Sequence, residues 1–322
     1  MHPLPHGGRL RAAHLRFPNA PCPFLDLSTG INPHAYPFTP PPPDAWHRLP
    51  EPEDLDALQV AAARAYGLDD PACVVAAPGT QALIQLLPRI LPQRAIAIPG
   101  PTYAEHEAAW RAAGTAVHPD PLQVRAAVLC NPNNPDGTRH SPEELARLGS
   151  RLDLLVVDEA FADFEPGPGA AAPSPPPGLV VLRSFGKTYG LAGVRLGFAL
   201  AEAGIADRLR VALGPWAVSG PAIAIGTEAL RDTGWRIAAA VRARKAAARL
   251  DDMLVAAGFA IVGGTALFRL ASHPDAPAIA GRLGRAGILV RGFDEAPTWL
   301  RFGLPGSEAA WARLAGATRL TS

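Results

Sequence analysis

Two lysines stand out among the residues of this chain that could do chemistry. Of its 30 basic residues only Lys187 and Lys245 are lysines, and the others are arginine. Arginine stays protonated, whereas a lysine can lose its proton and attack a carbonyl carbon. A chain that uses arginine wherever a cation is sufficient is expected to keep lysine where an amine must react. Lys187 and Lys245 are therefore candidates for amine chemistry.

Four further clusters of reactive or ligand-binding side chains each follow a short apolar run. They are Ala77-Pro-Gly-Thr-Gln81, Cys130-Asn-Pro-Asn-Asn-Pro-Asp-Gly137, Asp158-Glu-Ala-Phe161 and Ser184-Phe-Gly-Lys187, with Arg195 eight residues further on. Gly79 and Thr80 precede a helical pattern, so backbone N–H groups there could bind an anion. Each cluster alone also fits a helix cap or a turn. Their occurrence together at strand ends favours a ligand site, because open α/β sheets bind ligands at the carboxyl ends of their strands.

The elements that must position these clusters are short apolar strands separated by amphipathic helices. The expected strands are 74–77, 95–98, 126–129, 154–157, 179–182 and 196–200, and the expected helices include 104–113 and 141–149. Ser141, with Glu144 three residues later, predicts a capping box. Strands that are apolar throughout and alternate with helices predict an α/β domain with a mainly parallel sheet.

The rest of the chain predicts a second, smaller domain. A helical tract over 221–257 is followed by four apolar runs, at 259–262, 266–270, 287–291 and 299–302, which indicate an α+β arrangement. We expect an N-terminal arm over 1–33, a large domain over 34–220 and a small C-terminal domain over 221–322. The proline-rich stretches 37–43 and 166–178 are expected to be surface connections, because proline lacks an amide donor.

Composition narrows the function classes. The chain has 322 residues and a net charge of +1 with a pI of about 7.9, so no basic field supports nucleic-acid or membrane binding. No apolar run approaches the ~18 residues of a membrane span, and MHPLPHGGRL contains no apolar segment typical of a secretory signal. Three widely spaced cysteines exclude a disulfide framework and a CxxC zinc site. We therefore expect a cytoplasmic protein without a bound metal.

Together and in this order, the clusters resemble the fold-type I transferases that depend on pyridoxal 5'-phosphate (PLP), on the branch of the histidinol-phosphate aminotransferases. The resemblance runs from about Asp26 to Phe302 and implies an α/β fold of that type, usually paired as a homodimer. It implies that Lys187 forms the Schiff base and that Asp158 keeps the pyridine nitrogen protonated. The other cofactor-binding residues that it implies are Asn134 at O3′, Tyr103 against the ring, and Gly79, Thr80, Ser184 and Arg195 at the phosphate.

Two positions depart from the aminotransferase pattern. Phe161 stands where these enzymes usually have a tyrosine that gives O3′ a second hydrogen bond. Leu49-Pro50 stands where they usually have Tyr-Pro, and leucine cannot donate the hydrogen bond which that tyrosine gives to the PLP phosphate of the other subunit.

The N-terminal residues distinguish between reactions. His6-Gly-Gly8 and Asp26-Leu-Ser-Thr-Gly-Ile-Asn32-Pro33 resemble the threonine-phosphate decarboxylases of cobalamin biosynthesis, which also carry Asp-Glu-Ala-Phe. The resemblance implies that L-threonine O-3-phosphate is converted to (R)-1-amino-2-propanol O-2-phosphate and CO₂. The protein selects the bond that breaks by how it holds the substrate. Arg301 is expected to bind the substrate carboxylate, with Asn32 nearby. The remaining expected substrate contacts are His6, Gly7, Gly8 and Arg291.

Alternatives remain at this stage. Either Lys187 or Tyr103 could return a proton to the substrate Cα. Histidinol-phosphate aminotransferase shares fold and cofactor, although Phe161 and the His-Gly-Gly start argue against it. A PLP-binding transcription regulator would need a DNA-binding module ahead of Asp26, where this chain has 25 residues. A non-catalytic scaffold would be expected to lose Lys187.

Overall fold

Two compact units divide the chain. The computed structural model describes residues 6–167, 169–170 and 173–318. The larger unit takes residues 35–134 and 138–237, and the smaller unit takes the chain up to residue 34, residues 135–137 and the chain from residue 238 onward. The predicted cofactor-binding residues all belong to the larger unit, and the predicted substrate-binding residues all belong to the smaller one.

Helices make up most of the regular structure. In chain order they are α1 (Leu10–Arg16), α2 (Asp44–His47), α3 (Pro52–Tyr66), α4 (Thr80–Ile90), α5 (Ala104–Ala112), α6 (Pro142–Gly149), α7 (Phe185–Thr188), α8 (Ala203–Leu213), α9 (Gly220–Arg231), α10 (Thr233–Ala256), α11 (Ala276–Arg285) and α12 (Glu308–Thr318). The predicted capping box of α6 is present, with Ser141 and Glu144 each accepting the other's backbone N–H. None of the described helices is both long enough and apolar enough to cross a membrane.

The strands form one large sheet and two smaller ones. In chain order they are β1 (Leu25–Asp26), β2 (Val74–Ala77), β3 (Ala95–Ala97), β4 (Ala116–His118), β5 (Ala126–Cys130), β6 (Leu154–Asp158), β7 (Leu179–Ser184), β8 (Gly197–Ala201), β9 (Ala260–Thr265), β10 (Phe268–Ser272), β11 (Ile288–Leu289), β12 (Arg291–Gly292) and β13 (Trp299–Gly303).

The seven-stranded sheet of the larger unit has the order β2-β8-β7-β6-β5-β3-β4. Its strands run parallel from β7 to β4, and β8 is antiparallel to both β7 and β2. Strands β5 and β6 are buried at every position, as their uninterrupted apolar sequences predicted. Apolar clusters cover the two faces of the sheet, so the mainly parallel α/β fold is confirmed.

The smaller unit has an antiparallel sheet of order β12-β13-β10-β9. In addition, β1 pairs in parallel with β11, and this pairing attaches the N-terminal segment to the C-terminal part of the same unit. Register in the four-stranded sheet places Arg291 of β12 opposite Arg301 of β13. Two candidate substrate-binding arginines are therefore neighbours.

The structure differs from the sequence expectations around residues 220–257. The helical tract is divided into α9 and α10, and Asp232 between them accepts the N–H of Trp235 and so caps the second helix. A Cβ at Gly226 of α9 would lie 3.0 Å from Leu58 Cδ1 of α3, so the two helices pack closely. Since α3 belongs to the larger unit, α9 does too. The division between units falls within α10, not after residue 220 as expected.

Candidate active site

The carboxylate predicted to face a pyridine nitrogen is held by a buried histidine. Asp158 ends β6, and its Oδ2 lies 2.8 Å from His106 Nε2 of α5. Its other oxygen, Oδ1, accepts the N–H of Ala160 at 3.0 Å. Both side chains are buried, with His106 1% exposed and Asp158 5% exposed. The orientation of the carboxylate is therefore fixed by contacts at both oxygens.

Cys130 completes a cluster around this pair. It ends β5 next to Asp158 in the sheet register, and its Sγ, a ring nitrogen of His106 and an Asp158 oxygen lie within 4.8 Å of one another. Burial opposes protonation of His106. Its hydrogen bonds to Asp158 and Cys130, and its electrostatic interaction with them, outweigh burial and raise the pKa of His106 to about 10. A protonated His106 stabilises a negatively charged Asp158, which is the form that would pair with a protonated pyridine nitrogen.

An anion cradle lies at the other end of the predicted cofactor site. Gly79 has a φ of +86°, and α4 begins at the next residue, Thr80. A Cβ at Gly79 would lie 2.7 Å from Arg195 Nη2, so a side chain there would displace the guanidinium. A Cβ at Gly197, which follows Arg195 by two residues, would lie 2.6 Å from the backbone nitrogen of Thr80. The two glycines thus let Arg195 and the N-terminus of α4 approach each other closely, an arrangement suited to a phosphate.

Lys187 and Ser184 lie at the end of β7, one strand away from Asp158. Lys187 is in the short helix α7, and its Nζ is 5.3 Å from the centroid of the Phe161 ring. Ser184 is the last residue of β7 and pairs in register with Gly197 of β8. The sheet therefore places the amine, the carboxylate and the anion cradle along one edge.

The asparagine-rich loop after β5 is braced by two of its three asparagines. Asn131 accepts the N–H of His140 and donates to its carbonyl, and Asn133 donates to the Pro101 carbonyl at 2.9 Å. Asn133 also accepts a hydrogen bond from Thr102 at 2.7 Å. These contacts fix the loop that carries Asn134, the residue predicted to donate to O3′.

Tyr103 is held by a neighbour from the Gly-Thr-Gln turn. Its hydroxyl donates to Gln81 Oε1 at 3.1 Å, and Gln81 Nε2 donates to Glu105 Oε2 at 2.7 Å. Burial and then the charges of Glu105 and Asp158 raise the pKa of Tyr103 to about 12. Tyr103 consequently keeps its proton near neutral pH and acts as a positioned ring and a hydrogen-bond donor.

The larger unit therefore contains groups that fit PLP in kind and in place. They comprise an amine, a carboxylate paired with a buried histidine, an aromatic ring and a glycine-lined helix N-terminus beside an arginine. The amine, the carboxylate and the phosphate-binding turn lie at the strand ends where the sequence predicted them, and Tyr103 precedes α5. The roles of the individual residues toward the cofactor stay predictions.

In the smaller unit, Arg301 is the buried centre of the predicted substrate-binding set. It is 8% exposed, and its guanidinium carbon lies 5.1 Å from the centroid of the Phe268 ring. Burial and then the charge of Arg291 lower the pKa of Arg301 to about 10, while Asp26 acts in the opposite direction. Burial also lowers the pKa of Arg291. Asp294 and Glu295 act on Arg291 and Asp26 acts on Arg301 in the opposite direction to burial, so both arginines are partly desolvated cations with carboxylates in their surroundings.

Residues 6–8, called the glycine segment from here on, contact Ser28, which also contacts Arg301. Gly8 donates its N–H to Ser28 Oγ at 2.7 Å, and Arg301 Nη2 donates to the Ser28 carbonyl at 2.9 Å. Asn32 is 5% exposed and accepts the N–H of His34 at 3.0 Å, and His6 is exposed. Gly8, Asn32 and Arg301 are thereby grouped in one unit, as their predicted shared substrate requires.

Sequence reasoning missed His106, Cys130, Gln81 and Ser28. His106 follows Tyr103 by three residues, a spacing that puts both on one face of a helix, and this was the available signal. Gln81 and Ser28 lie within motifs that were recognised for other residues. Cys130 opens a recognised cluster, but its contact with His106 depends on strand register, which the local sequence does not show.

Comparison with known proteins identifies a family to which the chain is similar. The family model of the class I and II aminotransferases matches residues 43–317. A threonine-phosphate decarboxylase of Pseudomonas aeruginosa is 45% identical over 97% of this chain and 96% of that protein. A histidinol-phosphate aminotransferase of Mycobacterium tuberculosis is 32% identical over 76% of this chain and 71% of that protein. The match to the decarboxylase has the higher sequence identity and covers more of both chains.

Solved structures support the fold. A histidinol-phosphate aminotransferase from Sinorhizobium meliloti, determined in complex with pyridoxal-5'-phosphate, matches with a TM-score of 0.80 at 21% identity. The match covers 96% of this chain and 93% of that chain. At this identity the likeness concerns the fold alone, and it agrees with the fold type predicted from the sequence.

Proposed function

This chain is a member of the class I and II aminotransferase family, and we propose that its reaction is the PLP-dependent decarboxylation of L-threonine O-3-phosphate. The products are (R)-1-amino-2-propanol O-2-phosphate and CO₂, and the pathway is cobalamin biosynthesis. The identity of 45% to a threonine-phosphate decarboxylase over nearly the whole chain supports this assignment.

The observation that carries the proposal is the pair of neighbouring arginines in the smaller unit. Arg291 and Arg301 face each other across β12 and β13, and the charge of Arg291 contributes to lowering the pKa of Arg301. A substrate with two anionic groups would offset both charges, and guanidinium groups bind carboxylate and phosphate in bidentate pairs. L-threonine O-3-phosphate carries both groups, whereas histidinol phosphate carries no carboxylate. We assign the carboxylate to Arg301 and Asn32, and the phosphate to Arg291 with His6, Gly7 and Gly8.

The residues of the larger unit are proposed to bind and tune the cofactor. When bound, PLP supplies an electron sink for the pair left on Cα as CO₂ departs. Lys187 would supply the amine for its aldehyde, and Asp158, oriented by its contact with His106, would keep a proton on the ring nitrogen. The ring and O3′ are assigned to Tyr103 and Asn134. The phosphate is assigned to Gly79, Thr80, Ser184 and Arg195.

The proton that Cα gains after decarboxylation is proposed to come from Lys187. Tyr103 was the other candidate, but its hydroxyl donates to Gln81 and its pKa is about 12. A phenol that holds its proton so tightly is a poor acid near neutral pH. The amine of Lys187 is the remaining candidate of the two.

Release of CO₂ tests the proposed reaction. The purified protein, supplied with PLP and L-threonine O-3-phosphate, is expected to form CO₂ and aminopropanol phosphate, and Lys187→Ala is expected to lose this activity by at least about 1000-fold. Lys245→Ala is the matched control and is expected to keep it. Transfer of an amino group from histidinol phosphate to 2-oxoglutarate, without CO₂, would instead establish the aminotransferase.

We further propose a homodimer in the cytoplasm. Trp46, Leu49 and Trp216 of the larger unit are each more than half exposed, which is unusual for large apolar side chains and typical of a protein interface. Cys22, Cys73 and Cys130 are all free thiols, in keeping with a reducing compartment.

A further inference from the structure

Ser28 is the point in the smaller unit where several predicted substrate-binding residues converge. Its Oγ accepts the N–H of Gly8 at 2.7 Å, and its carbonyl accepts from Arg301 Nη2 at 2.9 Å. Its own hydroxyl and N–H both donate to Asp26 Oδ1, at 2.6 and 2.9 Å. Ser28 is 1% exposed, so these bonds are shielded from water. Every polar atom of this residue is therefore engaged.

The Ser28 carbonyl also packs against Gly7 of the glycine segment. A Cβ at Gly7 would lie 2.3 Å from the Ser28 oxygen, a distance that no side chain could tolerate. The oxygen that accepts from Arg301 is thus the one that Gly7 packs against. A shift of the glycine segment must move this carbonyl, and a shift of the carbonyl must move the acceptor of Arg301.

Asp26 fixes the direction of this contact. Because Asp26 Oδ1 accepts a hydrogen bond from the Ser28 hydroxyl, a lone pair of Ser28 Oγ points toward Gly8 and accepts its N–H. The negative charge of Asp26 also raises the pKa of Arg301 and so favours the charged form of the guanidinium. One aspartate thereby orients the hydroxyl and supports the guanidinium.

From this convergence we propose that Ser28 is a positioning residue that couples the docking of the glycine segment 6–8 to the orientation of Arg301. The inference rests on the proposed function, in which Arg301 binds the substrate carboxylate and the glycine segment binds the phosphate. Ser28 touches neither group of the substrate in this scheme. Its effect is that the two anion-binding elements adopt their binding positions together, which reduces the ordering that the substrate must impose.

The first test removes only the hydrogen bonds made by the Ser28 side chain. Ser28→Ala keeps the backbone carbonyl for Arg301 but loses the bonds to Gly8 and from the hydroxyl to Asp26. We expect the KM for L-threonine O-3-phosphate to rise about ten-fold, with the affinity for PLP and the absorbance of bound PLP unchanged. Thr265→Val is the matched control, because the buried Thr265 hydroxyl also accepts a backbone N–H, that of Leu267, in the same unit.

The second test measures the coupling directly, on the PLP-loaded enzyme without substrate. Trypsin cleavage after the exposed Arg9 and Arg11 is followed by mass spectrometry in wild type, Ser28→Ala, Arg301→Met and the double variant. We expect each single variant to be cleaved several-fold faster than wild type, and the double variant to be cleaved no faster than Ser28→Ala. Additive rates, or wild-type cleavage in Ser28→Ala, would overturn the inference.

Two further variants test the same hydrogen bonds independently, in case Ser28→Ala fails to fold. Asp26→Ala removes the acceptor that orients the hydroxyl and is expected to give the same rise in cleavage. Asp26→Asn keeps an oxygen that can accept both bonds and is expected to stay close to wild type. A wild-type protein that releases no CO₂ would refute the proposed function alone, since the cleavage measurements require no substrate.

Discussion

At the scale of single residues, the orientation of Asp158 depends on a hydrogen bond with His106 of α5. His106 is buried against it at 2.8 Å, and its pKa is raised to about 10 from an ordinary value of 6.5. A group whose pKa rises on folding contributes stability that is fully present below its unfolded pKa and lost as the pH rises through its folded pKa. The contribution of His106 should therefore be complete below about pH 6.5 and decline toward pH 10.

We expect a comparison with His106→Gln to reveal this dependence. Glutamine can donate a hydrogen bond to Asp158 but cannot be protonated, so it serves as the matched reference. The stability advantage of wild type, measured by urea denaturation, should be largest at pH 6 and should shrink steadily between pH 7 and 10. A constant difference over this range would show that His106 is neutral in the folded protein.

Residue type explains why some of this site could be predicted from the sequence and some could not. Lys187 and Asp158 are restricted by the chemistry that each must perform, and their motifs are local. The contacts of His106 with Cys130, and of Ser28 with Arg301, join residues distant in the chain. Such contacts arise from strand register and packing, which the local pattern does not contain.

At the scale of elements, the large sheet was predictable because its strands are apolar throughout. Six of the seven were predicted to within two residues at each end, whereas β4, a three-residue strand with no fully buried position, was not predicted. The parallel pairing of β1 with β11 was missed because it joins two-residue strands more than 250 residues apart. The segment around β1 is held in place by backbone hydrogen bonds and by side chains from distant elements.

One such side chain is Arg313 of α12. Its guanidinium donates to the carbonyls of Pro21 and Pro23, just before β1, and to that of Ala286, at the end of α11. We expect Arg313→Ala to lower the free energy of unfolding by about 2–3 kcal/mol, because three carbonyls lose a charged donor. Urea denaturation measures this change.

The control for this prediction is Arg249→Ala. Arg249 is also on the smaller unit, pairs with Glu308 and lies 4.4 Å from the centroid of the Trp311 ring. Because the ion pair is solvent-exposed, removal of Arg249 should destabilise the protein clearly less than removal of Arg313. Equal losses for Arg249 and Arg313 would show that the carbonyl contacts contribute no more than a surface ion pair.

At the scale of the whole molecule, the larger unit exposes several large apolar side chains among the described residues. A groove of about 570 Å³ is lined in part by Leu49, Pro50 and Ile223, and a second one of about 330 Å³ by Pro50, Trp216 and Ile223. Because the grooves share residues, the exposed side chains belong to one continuous patch. A patch of this kind fits a second copy of the chain, as expected for the homodimer.

We expect Leu49→Glu to weaken the dimer by at least about ten-fold in dissociation constant, because a charge would be buried at the centre of the patch. Leu122→Glu is the matched control, since Leu122 is equally exposed on the same unit, at 65% against 63%, but does not line either groove. Analytical ultracentrifugation over a range of concentrations measures both constants. If Leu49→Glu associates as wild type does, the patch is not the dimer interface, and if wild type is monomeric at micromolar concentration, the homodimer is refuted.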